Sequence, residues 1–114
     1  MKKVIILIPV FNDWDSLKKL IEEINKNIKE FKDINFECLI VNDASTVDRP
    51  KLIKPTNIET FEILNMKKNR GHARCNAFGI RHVFENKQFD NLILMDGDGE
   101  DRPVEIKNLL TTIN

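Results

Sequence analysis

The chain has 114 residues, of which 41% are hydrophobic and 32% charged, and its 18 Lys plus Arg balance 18 Asp plus Glu. This length fits one domain with a core of its own, and the composition is that of a soluble globular protein rather than a disordered one. Zero net charge removes the usual electrostatic case for nonspecific nucleic-acid binding, and no apolar run approaches the ~20 residues of a membrane span.

The N-terminus, MKKVIILIPVF, has the positive start of a secretion leader. Pro9 interrupts its apolar stretch, however, and no small-residue cleavage site follows. Lys3 to Val10 is instead expected to be a first strand, covered on both faces because the run is almost continuously apolar. Asn12 and Asp13 then offer N-cap chemistry. Trp14, Leu17, Leu20, Ile21, Ile24, Ile28 and Phe31 recur every three or four residues, which predicts one apolar helical stripe. Lysines 18, 19, 26, 29 and 32 alternate with glutamates and read as the solvated face of that helix.

Phe36 to Val41 is a second buried strand, ending in the turn-forming residues NDAST. Residues 48–57 are irregular, with Pro50 and Pro55. Thr60 to Asn65 alternates in polarity and is expected to lie nearer a sheet edge. The segment NRGHARCNAFGIRHVFEN reads as a glycine turn entering a helix, with Ala73, Ala77, Ile80 and Phe84 on its inner side and His72 and His82 facing solvent. Leu92 to Met95 is a fourth strand. Pro103 suits the first turn of a last helix capped by Asp101, with Ile106, Leu109, Leu110 and Ile113 as its inner stripe. Cys38 and Cys75 fit no zinc spacing and read as buried, reduced thiols.

The order β-α-β-β-α-β-α predicts an α/β fold with a largely parallel sheet. Ligands of such sheets bind outside the carboxyl ends of the strands. The polar groups of interest all fall there: Asn12 and Asp13 after the first strand, Asp43 after the second, Asp96 and Asp98 after the fourth.

The last of these segments reads LILMDGDGEDRP. At an effective dielectric of ~20, two carboxylates ~5 Å apart repel by roughly 3 kcal/mol. Either a cation sits between them or the turn is wet and the charges idle. Alternate carboxylates on a glycine-relieved turn suit Mg²⁺ or Mn²⁺; on D-x-D alone, an acidic surface turn is the stronger reading. An EF-hand fits poorly, since its sixth position holds Asp101 and its twelfth Lys107. A haloacid-dehalogenase-type phosphatase would carry Thr or Val where Glu100 stands.

The other segments are weak singly. IPVFND could wrap a flat ring with Phe11 and bond its edge, or be an ordinary strand-to-helix cap. In IVNDAST, Asp43 could accept from a base N–H, or simply belong to a turn. NRGHARCNAFGI could offer backbone N–H groups and a positive helix end to phosphate, with Arg70 or Arg74 adding charge-assisted bonds. No G-x-G-x-x-G follows the first strand, which argues against an NAD-binding fold.

Taken in order, IPVFND, IVNDAST, NRGHARCNAFGI and LILMDGDGEDRP resemble the donor half of family 2 glycosyltransferases of the GT-A fold. Within that family the likeness is greatest to polyprenyl-phosphate sugar transferases of the dolichol-phosphate mannose synthase type, whose fourth-strand segment reads roughly M-D-A-D-L-Q-D-P-P-E. Departures are Asp13 where the family has Glu, Asn42 for the first of two acids, Gly99 for an apolar residue, Glu100 for Gln, and Asn76 for a frequent Arg. The resemblance implies a three-layer α/β/α Rossmann-like nucleotide-sugar-binding fold, truncated after the D-x-D motif, with residues 1–114 as a single donor-binding domain.

It further implies that Pro9, Phe11, Asp13 and Asp43 hold the base and ribose, with Arg70 also on the nucleotide. Asp96 would contact ribose or metal, and Asp98 with Glu100 would ligate Mg²⁺ or Mn²⁺. The donor would be a nucleoside-diphosphate sugar and the acceptor a polyprenyl phosphate or a glycan, whose oxygen would attack the donor's anomeric carbon with inversion as the nucleoside diphosphate leaves. The general base would lie beyond residue 114. The implied location is cytoplasmic, at the cytoplasmic face of the membrane. Two alternatives stand beside this: a nucleotide-binding module without catalysis, and a metal-dependent phosphatase with Asp96 as nucleophile.

Overall fold

The computed structural model describes residues 1–96 of the chain. Its elements are β1 (Lys2–Val10), α1 (Trp14–Ile28), β2 (Ile34–Asn42), β3 (Thr60–Asn65), α2 (His72–Asn86) and β4 (Asn91–Leu94). The strands form one four-stranded sheet in the order β3-β2-β1-β4, and every pairing is parallel. The last predicted helix, with Asp101 and Pro103, lies outside the described residues.

β1 is interior to the sheet, and its seven residues from Val4 to Val10 are all buried. Alternation then sorts them between two layers. Val4, Ile6, Ile8 and Val10 meet Trp14, Leu17, Leu20, Ile21, Ile24 and Ile28 of α1. Ile5 and Leu7 face the other way, with Leu39 and Val41 of β2 and Cys75 and Val83 of α2. The result is a helix on each face of the sheet, as the apolar runs predict. At roughly 2 kcal/mol per buried aliphatic side chain, the α1 stripe is the main anchor of that layer. Phe31 lies beyond the end of α1 and packs only partly against the same cluster.

β3 is partly buried along most of its length, in keeping with an edge position. The β2–β3 crossover contains no helix. Buried Ile58 pins it to the α1 layer, and Asn25 of α1 holds it by accepting from the Asn57 backbone N–H at 2.9 Å.

α2 differs from expectation in the face it turns inward. Its buried residues are Cys75, Gly79 and Val83, whereas Ala73 and Ala77 are exposed and Phe84 is 67% exposed. Only Ile80 of the predicted stripe packs partly against the core. The physical reason is close approach. A Cβ on Gly79 would stand 2.7 Å from Leu7 Cδ1 and 2.8 Å from Val41 Cγ2. At position 79, α2 lies so near Leu7 of β1 and Val41 of β2 that only a glycine fits without displacing them. Phe84 instead meets Phe89 edge-on, with ring centroids 5.2 Å apart.

Candidate functional site

The site begins where β1 runs out. Asn12 takes φ 62°, a left-handed conformation that Asn tolerates better than most residues, and the chain turns into α1. Asp13 caps that helix, its Oδ1 accepting from Ser16 N–H at 3.3 Å. Asn12 Oδ1 accepts from the backbone N–H groups of Thr46 at 2.8 Å and Val47 at 3.0 Å. The turn after β1 is thereby tied to the turn after β2. On β2, Asn42 Oδ1 accepts from Ser45 Oγ–H at 2.6 Å while its Nδ2 donates to Asn65 Oδ1 at 3.0 Å. Three asparagines thus hold the carboxyl ends of β1, β2 and β3 in register. An acid at position 42 could accept from Ser45 but could not donate to Asn65.

Asp43 is 4% exposed, and its backbone N–H donates to Val10 O at 2.8 Å. Its carboxylate spans to the next element: Oδ1 accepts from Arg70 N–H at 2.9 Å and Oδ2 from Gly71 N–H at 3.1 Å. Gly71 is the N-cap of α2, with φ 86°. A buried carboxylate therefore holds the entrance of α2 through two charge-assisted bonds, at the helix end that favours negative charge. Asn69 adds a third tie, donating from Nδ2 to Asp43 O at 3.2 Å.

Met95 N–H donates to Leu7 O at 2.9 Å, which extends β4 far enough to bring Asp96 beside α2. There His72 Nε2 lies 3.0 Å from Asp96 Oδ1. The two thiols are inert. Burial, then the nearby Asp43 charge, pushes Cys75 up to about 12, and burial alone does the same to Cys38. Neither is a thiolate nucleophile near neutral pH.

Together these elements enclose a cleft of about 260 Å³, lined by Pro9, Val10, Phe11, Asp13, Asp43, Asn69, Gly71, His72, Cys75 and Asp96. Five sequence-predicted residues, Pro9, Phe11, Asp13, Asp43 and Asp96, meet there. Arg70 enters only through its backbone bond to Asp43 and lines a neighbouring concavity. Arg74 is exposed.

His72 faces solvent as expected, its side chain 54% exposed, and it also lines the cleft. The same reading of His82 is corrected: it is tied to β3 through Glu62 Oε1 at 3.0 Å, its side chain only 26% exposed. Of the lining residues that sequence reasoning did not place in the site, Val10 and Cys75 belong to the core, and His72 and Asn69 are the hydrogen-bonding side chains. Their one local signal is that they flank the glycine turn into α2.

Chemically, Phe11 is 46% exposed and offers a ring face, beside carboxylates that accept N–H or O–H donors. The first N–H groups of α2 lack intrahelical partners and suit an anion. Among the described residues no three His, Cys, Asp or Glu side chains converge as a metal centre. The carboxylate of Asp96 is of the hard-oxygen type that Mg²⁺ and Mn²⁺ prefer. The other two acids read as ligands, Asp98 and Glu100, lie outside the described residues.

A family model described as glycosyl transferase family 2 matches residues 5–114. The chain is 30% identical over 113 residues to the undecaprenyl-phosphate 4-deoxy-4-formamido-L-arabinose transferase of Proteus mirabilis, a match covering 98% of this chain and 34% of that protein. It is 25% identical over 111 residues to an uncharacterized protein of Methanocaldococcus jannaschii, covering 94% of this chain and 45% of that one. The chain thus spans between a third and a half of the length of these two relatives.

Proposed function

The chain belongs to glycosyl transferase family 2, and from that premise we propose that it is the donor-binding part of an inverting, metal-dependent glycosyltransferase. The donor is a nucleoside-diphosphate sugar and the acceptor a polyprenyl phosphate. The observation that carries this reading is convergence. Residues from three separate sequence segments, Pro9 to Asp13, Asp43 and Asp96, gather in one cleft at the carboxyl ends of a parallel sheet, which is where α/β folds of this kind take nucleotides.

In this reading Phe11 and Pro9 flank the base, Asp13 and Asp43 accept from base or ribose donors, and the entrance of α2 faces the diphosphate. Arg70 contributes its charge from outside the cleft. Asp96, with Asp98 and Glu100, would hold Mg²⁺ or Mn²⁺, which when bound neutralises charge on a departing nucleoside diphosphate. His72 holds the Asp96 carboxylate in place. A phosphate acceptor is already anionic and needs less help from a base than a hydroxyl would. The reading assigns no general base among the described residues and sets the reaction at the cytoplasmic face of a membrane. The name of the Proteus mirabilis relative supports a polyprenyl-phosphate acceptor.

The test is a transfer assay with Mn²⁺, labelled nucleoside-diphosphate sugars and undecaprenyl phosphate. Label moving into the lipid phase, with free nucleoside diphosphate released in equal amount, is the expected result. Donor binding without transfer would restrict the chain to a binding role. Phosphate release from simple esters, with loss of that release in Asp96→Asn, would favour the phosphatase reading instead.

A further inference from the structure

Charge is unevenly distributed in this neutral chain. From Ile63 to Phe84 the sequence carries Lys67, Lys68, Arg70, Arg74 and Arg81 and not one Asp or Glu. Arg81 is paired with Glu85 at 2.9 Å. Lys67, Lys68, Arg70 and Arg74 are exposed, and none of them makes an ion pair among the described residues. Amid them stands Phe78, 43% exposed. Met66, Lys67, Lys68, Arg70 and Phe78 line one concavity of about 430 Å³. Arg74 lies one helical turn before Phe78 on the same face of α2.

The position of this patch matters as much as its charge. Residues 68–71 form a divider: Lys68 and Arg70 line the concavity, while Asn69 and Gly71 line the cleft. The cationic face and the candidate donor site are therefore two sides of one short segment. Asp43 accepts from the Arg70 backbone N–H at 2.9 Å and so lies within the ~10 Å screening length of ordinary ionic strength; it offsets part of the Arg70 charge, while Lys67, Lys68 and Arg74 stand without an ion pair among the described residues.

Exposed cations on flexible stems around an exposed aromatic ring are the chemistry of a bilayer interface, where headgroup phosphates meet the cations and the ring enters the acyl boundary. We propose that this face, Lys67, Lys68, Arg70 and Arg74 around Phe78, docks the chain onto an anionic phospholipid surface and so brings the cleft beside a lipid-borne acceptor. The purpose of such docking rests on the polyprenyl-phosphate reading above; its chemistry rests on the patch alone.

The test is cosedimentation of the 114-residue chain with phosphatidylcholine vesicles, with and without phosphatidylglycerol. Two variants are compared, Lys67→Gln/Lys68→Gln together and Phe78→Ser alone, with Arg70 and Arg74 left intact because both are candidates for the donor phosphate. Each cation near such a surface contributes about a fivefold gain, so the double lysine variant should partition roughly 25-fold more weakly. Wild-type binding should need phosphatidylglycerol and fall with added salt, and Phe78→Ser should weaken it further at high salt than at low. Nucleoside-diphosphate binding, measured on the same samples, should be equal in wild type and the double lysine variant, which separates failure of docking from failure of the donor-site reading. Equal partition of wild type and double lysine variant, or no partition of a folded wild type, overturns the proposal; the second result would leave an acidic protein as the occupant of this face.

Discussion

Asp43 is both a wall of the candidate donor site and the clasp of α2, and replacing it should expose both roles. In Asp43→Ala, the backbone N–H groups of Arg70 and Gly71 lose acceptors at 2.9 Å and 3.1 Å. Hydrogen bonds to a charged group contribute about 1.5–3 kcal/mol each, and donors left unpaired add to the loss. The segment is partly open to water, which can replace some of this, so a net destabilisation of about 3 kcal/mol is expected. Asp43→Asn keeps one acceptor oxygen and should lose about half as much. Urea denaturation followed by circular dichroism measures both, with an unchanged slope showing that the same structure unfolds. Donor affinity should fall in both variants, because the entrance of α2 is released as well as a ligand contact removed. If Asp43→Ala unfolds within about 0.5 kcal/mol of wild type, the carboxylate does not hold α2, and the construction of the cleft given above is wrong.

Gly79→Ala should destabilise despite the ~1 kcal/mol that Ala gains over Gly in a helix, since its Cβ would enter the space of Leu7 and Val41 at an overpacking cost of about 1–3 kcal/mol; a raised melting temperature would refute the close approach of α2. Cys38 and Cys75, both raised from 9.0 to about 12, should resist alkylation in the native chain near pH 8 and react fully in denaturant. Because the folded values lie above the unfolded one, stability from these thiols is complete below about pH 9 and declines toward pH 12 as the unfolded state ionises them. Denaturation midpoints across that range should fall less steeply in Cys38→Ala/Cys75→Ala than in wild type.

Much of this arrangement is legible in the sequence because burial on both faces leaves little room for polar residues. The β1 run and the α1 stripe from Trp14 to Ile28 follow directly from that constraint. The meeting of Phe11, Asp13, Asp43 and Asp96 follows from topology, since parallel strands bring their carboxyl ends together. What stayed hidden depends on distance rather than pattern. α2 has two faces with similar helical spacing, and the more hydrophobic one, Ala73 to Phe84, is the natural choice until the tight fit of Gly79 against Leu7 and Val41 is known. The contacts of His72 with Asp96 and His82 with Glu62 join residues far apart in the chain, and no local periodicity announces them. Arg70 is misleading for a simpler reason: on a divider one residue wide, neighbours line opposite sides.

The most direct measurement is calorimetric titration of UDP, GDP and their sugar conjugates into the 114-residue chain, with and without Mn²⁺, using wild type, Phe11→Ala and Asp96→Asn. Phe11 is partly exposed, so its removal should spare the fold while losing the ~1–3 kcal/mol of base stacking on an aromatic ring. The account predicts that one nucleoside diphosphate binds in a Mn²⁺-dependent manner, that Phe11→Ala weakens it about tenfold or more, and that Asp96→Asn removes most of the Mn²⁺ dependence. A folded chain that binds none of these nucleotides, or binds them equally well in both variants, would contradict the assignment of this cleft as a donor site.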